Sequence, residues 1–545
     1  MKQARTRPVE IRREEFEAIL ERVARTSVPA TDVEKLRGAI DTLALITREL
    51  ERKGTSLERV RRLLFGASTE TTDAVLGDKP ASGSGRQRGK KPGERKKGHG
   101  RNGASAYPSA ERVQVAHARL TPGDRCPDCA KGKVYPTPPV QLVRVTGMAP
   151  LHATVYELAR LRCNLCGKVH GAEAPSDVGE EKYDATAASM IGLLKYGTGM
   201  PFHRLAKLEK SLGIPLPAAT QWAVVQKAEG ALAPAYAELV CQAAQGEVLH
   251  NDDTTMKILE LASDTRQEAD AEEEELEGKR TGIFTSGIVS IGEGRRIALF
   301  MTGRKHAGEN LAAVLAHRAA ELTAPIQMCD ALSRNTTGAF KTIVASCIAH
   351  ARRRYVDVAG HFPDECRYVL ETLGEVYRTD AEARAAGLTA SARLERHQAE
   401  SGPRMKELED WMKAQLDEHR VEPNSGLGEA IQYMRKHWEK LTLFLRVPGA
   451  PLDNSICERV LKKAILHRKN ALFYKTQNGA RVGDLFMSLI HTAELCGVNP
   501  FDYLVALQRN AEAVADSPAR WMPWNYTEAL AEITTPGAST AGPAP

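Results

Sequence analysis

The 545-residue sequence contains no apolar run approaching the ~20 residues that a bilayer-spanning helix needs, so a helical membrane protein is not expected. Its opening, MKQARTRPVEIRREE, is charged throughout and lacks the apolar segment of a secretory signal, which points to the cytoplasm. A large net charge is missing too: the formal value of +6 is mild for this length, although acid and base are strongly segregated along the chain. Ten cysteines are scattered too widely for a disulfide framework. What remains, at 42% hydrophobic and 26% charged residues, is a globular protein. Its length allows several domains, since one core usually serves ~100–200 residues.

Residues 1–65 read as helix. Leu36, Leu43, Leu50, Leu57 and Leu64 recur every seven residues, with Val33 and Ile40 on the companion seam. That heptad pattern fits a coiled coil, while Gly54-Thr55-Ser56 fits a two-helix hairpin equally well. Periodicity is lost over 66–110, a Gly/Pro/Ser-rich linker. Between Arg86 and Arg101 it sets eight Lys/Arg against the single acid Glu94. Such a segment cannot bury a core, and its charge suits a polyanion such as nucleic acid.

Residues 111–176 hold two Cys-x-x-Cys pairs, CPDC (Cys126, Cys129) and CNLC (Cys163, Cys166). Four thiolates at this spacing are the soft tetrahedral set that structural Zn²⁺ prefers, whereas redox motifs would suit a disulfide context that is absent. The intervening VQLVRV and HATVYELARLR read as strands of a ribbon-like zinc module.

A large mixed domain is expected over 177–475. EVLHNDDTTMKIL (247–259), GIFTSGIVSI, RRIALFM, PIQMCD (325–330) and KTIVASCIAH (341–350) read as strands, and KHAGENLAAVLAHRAAEL (305–322) as a helix. That order is a mixed-sheet α/β arrangement. An acidic run at 264–277 interrupts it, as does a charged helical block over 355–447. Residues 476–530 read as a separate closing helical unit, and 531–545 as a disordered tail. Asp252 or Asp253 lies mid-strand, Asp330 ends a second strand, and Glu458 lies in the helix after the insertion. Three acids on three elements are the minimal set for holding Mg²⁺ (or Mn²⁺) against a phosphodiester. Glu458 follows Asn454 by one helical turn and precedes Lys462 by another, which allows either a metal ligand or an ordinary surface ion pair.

The block PLDNSICER (451–459) with HRKNALF (467–473) closely resembles the final motif of IS66-type insertion-sequence transposases. Also similar are RRLLFGASTE (61–70), the double Cys-x-x-Cys, DDT at 252–254, Asp330, and Cys347, His350, Arg352 and Arg353. PNSGLGEAIQYMRKHWEKLTLFL (423–445) and HTAELCGVNPFDYL (491–504) extend the likeness over about 60–510. The resemblance implies an RNase H-like DDE catalytic core with Asp252, Asp330 and Glu458 as catalytic metal ligands. It also implies Zn²⁺ on Cys126, Cys129, Cys163 and Cys166. Double-stranded DNA, both transposon ends and target, would be the substrate of strand cleavage and transfer, bound in the nucleoid by a homo-oligomer with or without small accessory proteins. The alternative is an inactive, domesticated DNA-binding protein.

Asp253 and Asn454 take supporting places in this reading. Arg352, Arg353, Arg459, Lys462, Arg468 and Lys469 are candidates for DNA phosphates. Cys347 and His350 read as structural, with His350 hydrogen-bonding near the active site, rather than as half a metal site. Two departures stand out: Ser455 replaces the second Asn of the family's Asp-Asn-Asn, and ALSRN after Asp330 replaces a Gly and an aromatic pair.

Overall fold

The computed structural model describes residues 104–106, 112–116, 118–129, 131–138, 149–162, 169–176, 179, 181–261 and 282–534. The expected N-terminal helices, most of the basic linker, VQLVRV, Cys163, Cys166 and the acidic run lie outside these residues. The chain divides into two compact units, residues 80–152 and residues 1–79 with 153–545.

In the smaller unit, CPDC occupies a turn closed by an antiparallel bridge between Arg125 and Lys133. Cys126 N–H donates to the Gly132 carbonyl at 2.8 Å.

Among the described residues the larger unit begins with a short antiparallel pair, β1 (Arg160–Arg162) and β2 (Val169–Gly171). Of the expected strand HATVYELARLR only the last three residues form strand, and the Ala159 carbonyl before them accepts from Ala172 N–H at 2.8 Å. Val155, Tyr156 and Leu158 stay exposed. Three helices follow: α1 (Ala185–Gly192), α2 (Phe202–Ser211) and α3 (Ala218–Ala244). Asp184 caps α1 by accepting from Ala187 N–H at 2.9 Å.

The core is a five-stranded sheet of β3 (Val248–Thr255), β4 (Phe284–Gly292), β5 (Arg295–Gly303), β6 (Ile326–Cys329) and β7 (Ile343–Ser346), ordered β5-β4-β3-β6-β7. β3, β4 and β5 form an antiparallel meander, while β6 and β7 run parallel to β3, so β4 alone opposes the rest. IQMC of β6 is wholly buried, as expected for a parallel strand covered on both faces. α4 (Ala307–Leu315) connects β5 to β6 and is shorter than the sequence suggests.

After β7 the chain enters α5 (Ile348–Val358), α6 (Pro363–Ala385), α7 (Ala390–Arg396), α8 (Gly402–Asp417) and α9 (Gly426–Lys436). These share one apolar core with the β6–β7 side of the sheet, in which Met328 and Ala345 join Tyr355, Leu370, Leu408, Met412 and Ile431. α10 (Ser455–Ala471) then returns across β3 and β4, followed by α11 (Gln477–Leu495), α12 (Pro500–Arg509), α13 (Ala511–Asp516) and α14 (Tyr526–Thr534). α14 carries helix into residues 531–534, which the sequence assigned to a disordered tail.

α11, which the sequence set apart as a closing unit, covers the edge of the sheet. The outward N–H groups of Ala298, Phe300 and Thr302 on β5 donate to Thr492 Oγ1 (3.0 Å), Ser488 Oγ (2.9 Å) and Asp484 Oδ2 (2.6 Å). Alternate strand residues advance ~6.6 Å and four helical residues ~6 Å, so the two ladders stay in step. Side chains of a helix thus satisfy an edge that would otherwise invite another strand. Asp484 is buried, and that burial pushes its carboxyl up to about 7 against the two hydrogen bonds from Thr302.

Candidate active site

β3 places Asp252 and Asp253 on opposite sides, as alternation requires. Asp253 turns to His306 Nδ1 at 2.8 Å and to Arg334 Nη2 at 3.5 Å, with 2% of its side chain exposed. Asp252 turns the other way, towards Asp330 at the end of β6. One amide joins them: Asn335 Nδ2 donates to Asp330 Oδ1 at 2.6 Å and to Asp252 Oδ1 at 3.3 Å. Asp253 N–H also donates to Asp252 at 2.8 Å, and Leu332 N–H to Asp330 at 3.1 Å. The donors to this pair are neutral, leaving its negative charge uncompensated by any of these bonds.

Asn335 is itself fixed from behind. Its carbonyl accepts from Asn251 Nδ2 and Gln327 Nε2, both at 2.7 Å, and Gln327 also donates to Asn251 Oδ1 at 3.0 Å. The Asn251 and Gln327 side chains are buried and paired with each other and with this carbonyl, the condition under which polar groups rigidify a core. Gly308 at the start of α4 lets the loop approach, since a Cβ there would overlap the carbonyl oxygen of Thr336.

Glu458 arrives on the first turn of α10. Asn454, the N-cap residue, is fully buried and binds β3 from both ends of its amide. Its Oδ1 meets His250 Nδ1 at 3.1 Å and its Nδ2 donates to the Asn251 carbonyl at 3.1 Å. Its own N–H donates to Cys347 Sγ at 3.3 Å. Cys457 then donates to the Gly287 carbonyl at 3.3 Å, and Gly287 lies opposite Asp252 in the β3–β4 register. A Cβ on Gly287 would come within 2.8 Å of Leu461 Cγ, so glycine permits the close approach of helix to sheet.

The three carboxylates influence one another. Burial pushes the Asp252 carboxyl up to about 7, and the charges of Asp330, Asp253 and Glu458 add to the rise while the Asp253 N–H opposes it. A buried acid whose ionisation is further opposed by neighbouring acids is a group that a bound cation would relieve. The residues present therefore fit a hard divalent ion such as Mg²⁺.

His350 lies beside Glu458, with Nδ1 3.9 Å from Oε1, too long for a hydrogen bond. Both atoms are buried without a hydrogen-bonding partner. Cys347, His350 and Glu458 bring one ligand atom each to within 4.8 Å of one another. The sequence singles out the first two, but spacing alone has no means to supply the third from another helix.

The chain matches the transposase IS66 family over residues 182–482, more than half of its length. It belongs to that family. It is 26% identical over 405 residues to the uncharacterized protein y4hP of Sinorhizobium fredii, with 70% of each chain covered. It is 32% identical over 188 residues to y4jD of the same organism, covering 34% of this chain and 36% of that relative. A third relative there, y4qI, is 31% identical over 202 residues, 36% of each chain. The chain thus spans about a third of the length of two of these curated relatives. Family membership supports a transposase role and the use of a divalent metal.

Arg468, a candidate for DNA phosphates, bonds to β3. Its Nη1 donates to Thr254 Oγ1 at 3.1 Å, to Thr255 Oγ1 at 2.7 Å and to the Thr255 carbonyl, so it ties α10 to the end of β3. Arg459, Lys462 and Lys469 are exposed on the same helix, as is Arg353 on α5, while Arg352 is half-buried. Lys463 pairs with Glu494 at 3.4 Å. His467 of the HRKN motif is buried between the rings of Tyr196 and Tyr474. Burial, with Lys195 nearby, pushes that imidazole down to about 3, so it stays neutral in the core. Sequence reading missed Asn335, His306 and Arg334. Two of them belong to ALSRN, the stretch that had looked only like a departure.

Cys126 and Cys129 stand in the CPDC turn, where Gly132 N–H donates to Cys129 Sγ at 3.4 Å. Backbone N–H groups of Gly132 and Lys131 hold that thiol below its ordinary value. No helix among the described residues is long and apolar enough to cross a membrane.

Proposed function

We propose that this chain binds the ends of its insertion sequence and catalyses metal-dependent strand cleavage and transfer into target DNA. The observation that carries the reading is the single Asn335 amide spanning Asp252 and Asp330 while the charge of Glu458 also bears on Asp252. The strand order, with β4 alone reversed, supports an RNase H-like assignment of the core.

Asp252, Asp330 and Glu458 would hold the Mg²⁺ (or Mn²⁺) ions. When bound, such ions supply Lewis-acid activation of the attacking and leaving oxygens of a phosphodiester. Asp253 is committed to His306 and Arg334 and serves to fix β3. Asn454 and Arg468 fix α10 upon the same strand, so Glu458 is held by both ends of its helix. Exposed Arg459, Lys462 and Lys469 neutralise DNA phosphates, which position the duplex without reading its sequence. The Cys126–Cys129 turn, with backbone N–H groups aimed at sulfur, fits half of a structural zinc set.

Glu458→Gln tests the assignment. Incubated with end-bearing DNA and Mg²⁺, it should lose cleavage and keep near-normal end binding in a gel-shift assay. Collapse of binding as well would make Glu458 a folding residue. Wild-type cleavage with no joined product would reduce the activity to that of a nuclease.

A further inference from the structure

We propose that Cys347, His350 and Glu458 form a second metal site, distinct in chemistry from the carboxylate cluster and specific for a borderline ion of the Zn²⁺ class. The consequence for catalysis rests on the role given to Glu458 above; the site itself rests on geometry. Cys347 Sγ, a nitrogen of His350 and a carboxylate oxygen of Glu458 lie within 4.8 Å of one another. Ligand atoms around a tetrahedral zinc stand about 3.4 Å apart, given bonds of ~2.0–2.3 Å, so small side-chain rotations close the set. The His350 Nδ1 to Glu458 Oε1 distance of 3.9 Å is already near that spacing.

Two features separate this cluster from chance. First, His350 Nδ1 and Glu458 Oε1 are buried and unpartnered although they face each other. Buried polar atoms left without partners in a well-packed region call for an ion or a water. Second, the ligands come from rigid, mutually bonded helix starts. Cys347 is the N-cap residue of α5, and His350 follows one turn on. Ile348 N–H donates to the Leu452 carbonyl at 3.0 Å and Asn454 N–H to Cys347 Sγ at 3.3 Å, which fixes α5 against the start of α10.

A sulfur, nitrogen and oxygen donor set disfavours Mg²⁺ and selects zinc or its softer neighbours. Glu458 has two oxygens. An ion on Oε1 would fix the carboxylate plane and leave the second oxygen free, so the second site positions the acid whose charge bears on Asp252.

The test is metal content of the full-length chain, loaded with Zn²⁺ and passed over a mild chelator, by elemental mass spectrometry. His350→Ala, which alters a half-exposed side chain, should carry one zinc fewer per chain than wild type, and Cys347→Ser likewise. In a Cys126→Ser/Cys129→Ser background the same single loss should remain. Co²⁺ loading of that background should give a thiolate-to-cobalt absorption band that Cys347→Ser abolishes. Equal zinc in wild type and His350→Ala overturns the proposal. Metal content is read without DNA, so this failure is separate from failure of the Glu458→Gln cleavage test.

Discussion

Removing the Asn335 side chain tests how the two aspartates are held before a cation arrives. Its amide makes one short hydrogen bond, 2.6 Å to Asp330, and one long one, 3.3 Å to Asp252. A bond to a charged acceptor is worth ~1.5–3 kcal/mol, and the long contact adds little. Alanine keeps the backbone carbonyl that receives Asn251 and Gln327, so the loop retains its anchor. Asn335 Oδ1 has no partner to lose. Asn335→Ala should therefore destabilise the fold by about 2 kcal/mol in chelator, with Asp252 and Asp330 left facing each other. Saturating Mg²⁺ should narrow that gap, because a cation bound only by the native state contributes stability and replaces the missing donor. Cleavage should fall by roughly tenfold, the ~1.4 kcal/mol expected from looser carboxylates. Denaturant titration with and without Mg²⁺ measures both stability effects. An unchanged midpoint in chelator, or a gap that Mg²⁺ leaves as wide, would refute the bridging role.

Gly287→Ala places a methyl 2.8 Å from Leu461 Cγ and should push α10 outward, costing ~1–3 kcal/mol and more cleavage than end binding. Combining it with Leu461→Ala should restore part of the cleavage rate; no recovery would show that helix approach is not the cause. Asp484 has a folded value raised from 3.8 to about 7, so its contribution to stability is full below pH ~4 and is lost as pH rises through 7. Asp484→Asn should flatten that decline, gaining on wild type at pH 8 by up to about 4 kcal/mol, and parallel unfolding curves at pH 5 and 8 would contradict it. Lys462→Ala and Lys469→Ala should each lower the slope of log affinity against log salt by ~0.9, whereas Arg468→Ala should leave the slope alone and destabilise the fold. A slope change for Arg468→Ala would mean that its bonds to Thr254 and Thr255 open on DNA.

The strands that carry the acids were readable because their apolar runs are short and bounded, and IQMC could be little else once its carboxyl end met Asp330. The β5 edge was not readable. The sequence shows Asp484, Ser488 and Thr492 as polar residues in an apolar helix, and only the fold shows that β5 supplies N–H groups at matching intervals. His306 and Arg334 escaped for a related reason: one sits at a helix start and the other in a short 3-10 turn, and neither spacing nor charge links them to Asp253. Asn335 was visible but misvalued, because a neutral amide gives no charge signal even when it joins two carboxylates.

α10 shows how much helical spacing can decide. Cys457, Leu461, Ala464 and Arg468 follow the four-three-four interval of one helical face. The first three are buried, so the phase of the helix directs the fourth at the sheet as well, and it bonds to Thr254 and Thr255 there. Arg459, Lys462, Leu466 and Lys469 fall on the complementary three-four-three stripe, and all four are exposed. The basic helix is therefore two surfaces. One base closes the far end of the strand that bears Asp252, and three others line a face open to phosphate. Glu458 lies between the stripes, at the boundary where a carboxylate can meet both the half-buried aspartates and a bound backbone. Charge composition alone could not divide these roles; the phase of the helix does.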